Sequence, residues 1–287
     1  MVGARDTGRA PSHAERLAST NGYFAPGSVI RRVGNTPVTP FLGGGAAVLL
    51  QVAHPLVAAG VVDHSGYGDD LWRRLVRTLR ALYLITYGSK AEADRAAATV
   101  QAVHAHVHGT IRTRLGVYPA GTPYSAGDPA LMLWVHATLV HASLGAYQCF
   151  ERALSPADQE SYYAEMALVA RLFGTPADVM PPTLADFRDY FSAQIGGETI
   201  AVTGHAREIA AVILRAPLPA PLRVLAPAHR LATAALLPPR LRREYGLRWT
   251  PFRGGLLTAS CSAVKVTSWP ILRIAGRMRP PSKALAV

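Results

Sequence analysis

The chain has 287 residues, 49% of them hydrophobic, enough to bury a sizeable core in one large or two small domains. Its net charge of +12 is carried by residues 205–287, which hold 14 Lys and Arg against Glu208 and Glu244, whereas residues 1–204 balance 16 against 16. Such a lopsided end suits an anionic membrane surface or plain solvated faces; without zinc-finger spacing, an RNA-binding aromatic motif or a continuous basic stripe, no nucleic-acid partner is expected.

Residues 1–25 are polar, lack the apolar core of a secretory leader and read as a loose segment. Arg31-Arg32 precedes an apolar run, as in a twin-arginine leader, but starts late and is followed by Pro37 and Pro40. The expected location is therefore cytoplasmic, with contact to a membrane surface as the variant. Residues 26–40 read as an extended lead-in. Phe41 to Val62 is the longest apolar run and meets the length of a membrane span. Its four glycines and mid-run His54-Pro55 favour a buried helix, kinked or split where Pro55 removes a backbone donor. His54 either bonds a carbonyl freed at that kink or projects into a cavity the kink opens.

The next helix runs through Asp70 to Arg80. Arg74, Arg77 and Thr78 sit at i, i+3 and i+4 and share a face beside Leu75, Leu79 and Leu82. Arginines there are either solvated and paired with Asp69 and Asp70, or turned toward an anion or polar ligand. Ser89-Lys-Ala-Glu92 is a capping box that opens a helix to about His108, stopped by Gly109. On it only His104 and His108 align, at i and i+4. A zinc hydrolase helix would want a carboxylate beside the first histidine, and Ala105 stands there. A single axial histidine to a haem needs no such neighbour, and His104 is the candidate metal ligand. His106 and His108 read as solvent-facing residues that complement the helix dipole.

Asp128-Pro129 supplies an N-cap and a first-turn proline for an almost wholly apolar helix, Ala130 to Leu154, which should be central and buried on all sides. His136 and His141 on it are either satisfied core residues or pocket contacts. Cys149 lies in this run; with Cys261 it cannot form a disulfide framework and reads as a buried thiol in a reducing compartment. Ser155-Pro-Ala-Asp158 and Thr183-Leu-Ala-Asp186 cap two further helices, and Glu198 to Leu214 reads as another. A rigid proline connector follows at 216–221, then a short helix near 223–236 and a basic helix-turn at 240–248. No stretch alternates with period two, so the expected class is all-α, one helical domain around a central apolar helix. No nucleophile elbow, phosphate loop or dinucleotide fingerprint is present; Gly43-Gly-Gly45 follows no strand.

Several segments together resemble the oxygenase family named for mycophenolic acid B, which includes the latex-clearing proteins. They are Gly43 to Ser65 with its His54-Pro and Asp63-His64, Arg74-Leu-Val-Arg77-Thr78, Tyr87-Gly-Ser89, Val103-His104-Ala-His-Val-His-Gly109, Tyr124-Ser-Ala-Gly-Asp128-Pro, Trp134-Val-His136 and Leu237-Pro-Pro-Arg-Leu-Arg-Arg-Glu-Tyr-Gly246-Leu. The resemblance runs collinearly over about residues 22–252. It implies a globin-reminiscent helical fold around haem b, with His104 in the place of the axial ligand. Arg74, Arg77 and Thr78 match a distal Arg-x-x-Lys-Thr pattern, with Arg77 replacing the lysine of the rubber-cleaving members. His54 and His136 are further expected haem contacts. The resulting expectation is three parts: a loose 1–25, a haem-binding oxygenase-like domain at 26–252 and a basic extension at 253–287. Its partners would be dioxygen and an apolar isoprenoid- or polyketide-like substrate, cleaved at a carbon–carbon double bond. The alternative is a non-catalytic haem or lipid carrier at an anionic membrane surface.

Overall fold

The computed structural model describes residues 11–262 except 37, 65–68, 216–222 and 224; the proline connector expected at 216–221 and the basic stretch beyond 262 lie outside them. Among the described residues the regular structure is helical, apart from one two-stranded ribbon and an isolated bridge between Leu115 and Tyr118. Two helices form the axis. The apolar run becomes α3 (Val38–Val52) and α4 (Pro55–His64), bent by 103° where Pro55 starts the second helix. α3 lies along α7 (Pro129–Phe150), with α10 (Gly204–Arg215) and α11 (Ala226–Leu236) on its other flanks. The triple glycine explains how one helix touches so many others. A Cβ at Gly43 would stand 3.0 Å from that of Ala146 on α7, and one at Gly45 2.3 Å from Thr233 Oγ1 on α11.

α7 begins as its sequence dictates: Asp128 accepts from the amides of Ala130 and Leu131, and Pro129 fills the first turn. By length and apolarity this helix could cross a bilayer, as could α3 and α4 if they formed one span. In the fold Trp134, Ala137, Val140, Leu144 and Tyr147 of α7 instead pack into the main core. The capping boxes at Ser89 and Thr183 and the Ser155 cap open α6 (Lys90–Ala105), α9 (Leu184–Gly196) and α8 (Pro156–Leu172). α5 (Asp69–Tyr87) packs chiefly on α6, and α12 (Pro239–Glu244) closes the set of short helices.

Five expectations change. The extended lead-in at 26–40 holds α2 (Val29–Gly34) and the first turn of α3. Within the expected loose segment, Ser12 and Glu15 cap α1 (His13–Ala18), and Arg16 forms a two-armed ion pair with Glu92 at 2.9 and 2.8 Å. Arg31, buried, then donates to the carbonyls of Arg16, Leu17, Ser19 and Thr86, so burial and pairing hold a stretch that polarity alone marked as loose. The helix expected to reach His108 ends at Ala105, because β1 (His108–Thr110) pairs antiparallel with β2 (Pro123–Ser125). His104 and His108 therefore share no helix face. Lastly, Cys149 and Cys261 are joined in a disulfide across 112 residues, so the inference from unpaired thiols to a reducing compartment loses its ground. A helix at 251–262 carries Cys261 and crosses the domain boundary expected at 252.

Candidate active site

A cavity of about 1370 Å³, including its open mouth, lies between α3, α4, α5, the end of α6, the β-ribbon and α7. Its walls are apolar: Val48 and Val52 from α3, Leu75, Leu79 and Leu82 from α5, Leu131 and Leu139 from α7. α5 suits this position because its apolar residues recur every three or four positions, which puts them on one side. Thr78 and Leu79 are exposed, so the cavity opens beside α5.

Four of the sequence-derived candidates line this space: Arg74, Thr78, His104 and His136. His104 occupies the last turn of α6, and its Nδ1 is buried without a hydrogen-bond partner. His136 projects from α7, and its Nε2 is likewise buried and unpartnered. Burial lowers the proton affinity of His136 to a pKa of about 4. Burial also lowers that of His104, helped by the nearby Arg74 charge. Both rings are neutral at pH 7, and a neutral imidazole carries one acceptor nitrogen. The guanidinium of Arg74 is itself shifted down by burial and by the like charge of Arg77. Among the described lining residues there is no Asp or Glu, and Arg74 is the sole formally charged one. Thr78 donates its hydroxyl proton to the Arg74 carbonyl at 3.0 Å, leaving the oxygen as an acceptor.

Two candidates stand elsewhere. Arg77 is exposed and is not a lining residue. His54 caps α4: its Nδ1 accepts from the Leu56 amide at 3.2 Å, which fixes the proton on Nε2, 3.3 Å from the Tyr118 hydroxyl. Its ring lines a second cavity, about 850 Å³ with its open mouth included, together with Tyr118, Asp128 and Trp134. The ring thus meets an amide and a hydroxyl rather than a freed carbonyl, and the cavity it lines is not that of His104. Of the other histidines, His106 donates to the Ala102 carbonyl at 2.7 Å, and His141 bonds the Leu236 carbonyl and stacks on Phe191, whereas Nδ1 of His205 and of His229 is also buried and unpartnered but lies on residues that do not line this cavity.

Sequence reasoning missed the ribbon's share of the wall, Val107, Tyr124, Ser125 and Ala126, and the Phe173–Thr175 stretch after α8. Tyr124 donates to Asp63 at 2.6 Å and lies so close to Gly109 that a Cβ there would stand 2.6 Å from its hydroxyl. The one signal was the Gly109 that breaks the helix, which marks a close approach as well as a stop.

Among the described residues no group of three His, Cys, Asp or Glu could hold a metal ion. A metal in this cavity would take one or two imidazoles and most of its remaining ligands from a bound group. Unpaired neutral imidazole, apolar walls and one arginine match what a haem requires of a protein: an axial nitrogen, a dry pocket and a cation for its carboxylates or for dioxygen.

Residues 31–266 match the family described as ER-bound oxygenase mpaB/B'/Rubber oxygenase, catalytic domain. Curated relatives include an uncharacterized protein of Mycobacterium bovis and one of Mycobacterium tuberculosis. Each is 28% identical over 212 residues, covering 71% of this chain and 79% of the relative. No solved structure matches.

Proposed function

The chain belongs to this family of oxygenase catalytic domains, and from that membership we propose that it is a haem b-dependent oxygenase acting on an apolar, isoprenoid- or polyketide-like substrate by oxidative cleavage of a carbon–carbon double bond. The observation that carries the reading is that His104 and His136, each with a buried, unpartnered imidazole nitrogen, line one apolar cavity. When bound, haem b would supply the oxygen-activating chemistry.

The rest falls to the chain's own residues. His104 would hold the haem, and its depressed proton affinity keeps a lone pair available at neutral pH. His136, neutral for the same reason, offers a second nitrogen to the cofactor or to a polar atom of the substrate. Arg74 sets a fixed positive charge inside a low-dielectric space, where it stabilises an anionic oxygen or a propionate. Arg77, exposed outside the wall, sets a second positive charge near that of Arg74. Thr78 accepts a hydrogen bond at the mouth and holds α5 through Arg74. The leucine and valine walls exclude water and select apolar substrate by area rather than by hydrogen bonds.

Titration of the purified protein with haemin tests the assignment. The expected result is a Soret band in the wild type that is lost or displaced in His104→Ala. A wild type that takes up no haemin overturns the reading; an unchanged spectrum in the variant moves the ligand to His136. Oxygen uptake with an alkene substrate then separates an oxygenase from a haem carrier.

A further inference from the structure

We infer that the helix at 251–262 is a docking surface for an anionic lipid membrane, with Phe252 and Leu256 as its inserted side chains. The helix has two faces. Leu257 and Cys261, at i and i+4, turn inward onto a small core of Leu42, Ala146, Phe150 and Ala232. The bond from Cys261 to Cys149 fastens this face to α7. Phe252 and Leu256, also at i and i+4, turn outward and are 78% and 47% exposed; no other large hydrophobic side chain among the described residues is as exposed as Phe252. Because the inward face already satisfies the fold, the outward pair is left without an intramolecular purpose.

Charge selects the occupant. Arg248 and Arg253 are exposed beside the apolar pair. From residue 245 to the end the sequence holds seven Lys and Arg and no Asp or Glu. A second copy of the chain would bring the same positive charge to the same face and be repelled. An anionic bilayer is attracted by each basic residue and gains further from burial of an aromatic and an aliphatic side chain at its interface. The covalent tether orders the helix beforehand, so little conformational freedom is lost on docking. This surface stands apart from the haem reading, and its test does not use activity.

The full chain is sedimented with phosphatidylcholine vesicles, with and without phosphatidylglycerol, over a range of salt. Binding is expected only with phosphatidylglycerol, falling as salt rises. Phe252→Glu with Leu256→Glu should weaken it by about tenfold or more while leaving the melting temperature unchanged, since both positions are exposed. Arg248→Gln with Arg253→Gln should weaken it less and flatten the salt dependence. No binding of the wild type, or undiminished binding of the Phe252/Leu256 variant, overturns the proposal. So does concentration-dependent dimerisation through this face, or binding by a chain ending at Ser262 that the full chain lacks, which would make the protein's own end the occupant.

Discussion

His104, in the last turn of α6, and His136, in the middle of α7, line one cavity, and each carries a buried ring nitrogen that meets no hydrogen-bond partner. Unpaired buried polar atoms are costly, so a fold that keeps two of them on residues lining one space is suited to a ligand that satisfies them. At His104 burial is joined by the charge of Arg74, which reaches it from α5.

Removing that charge should be visible at the imidazole itself. In Arg74→Gln, His104 is expected to titrate at higher pH than in the wild type, because the protonated ring no longer faces a like charge. Histidine NMR titration of the cofactor-free protein reads the shift; an unmoved His104 would disconnect the two residues.

Stability of the cofactor-free protein should fall in mild acid. His54 and His136 are held at about 4 by burial, below the unfolded value near 6.5. Between those values the unfolded chain binds more protons than the native one, so stability is complete above pH 6.5 and declines as pH drops toward 4. Each residue contributes a slope of up to about 1.4 kcal/mol per pH unit. Chemical denaturation from pH 7.5 to 4.5 should show this slope, and His136→Leu should make it shallower.

The ion pair that holds α1 acts at lower pH. Hydrogen bonds from Arg16, and then from Ser89, hold the Glu92 carboxyl at about 2. A depressed carboxylate stabilises above its unfolded pKa and loses that contribution as pH falls through the folded one. Glu92→Gln should cost about 1–2 kcal/mol at pH 7, with the difference from wild type vanishing near pH 2. Loss of protection at residues 13–18 in hydrogen exchange would locate the effect.

Joining Cys149 to Cys261 closes a loop of 112 residues, which restricts the unfolded chain. Cys149→Ser with Cys261→Ser is expected to lower stability by about 2–4 kcal/mol and to release the helix at 251–262 to protease. Intact mass before and after reduction checks that the bond is present; equal melting of oxidised and reduced protein would contradict the role given to it.

Gly45→Ala tests the seam between α3 and α11. The added methyl would sit 2.3 Å from Thr233 Oγ1 and 2.9 Å from His229 Nε2, so the helices must part, at about 1–3 kcal/mol. Combining it with Thr233→Ala should restore part of the loss, a coupling that thermal melts can measure.

The helices were legible because their signals are local. A capping box at Ser89, a proline after Asp128 and a proline inside the run at 41–62 each act within one or two turns, and each produced the expected start or break. The α1 cap was equally present in the sequence, in Ser12 and Glu15, but six residues amid polar surroundings carried no apolar period to announce a helix. Three-residue strands such as His108–Thr110 are too short to show alternation at all.

By itself, then, the sequence determined the all-helical architecture, the buried α7, the break at Pro55 and a short set of chemically capable side chains. Tertiary packing decided which of those side chains meet. It set His136 beside the cavity of His104, 32 positions away in the chain, while placing His54 in another cavity beneath Tyr118 and bonding Cys149 to Cys261. The reason is range: caps and helical periods are fixed by backbone hydrogen bonds four residues long, whereas convergence of distant helices depends on how whole apolar faces and glycine seams fit together.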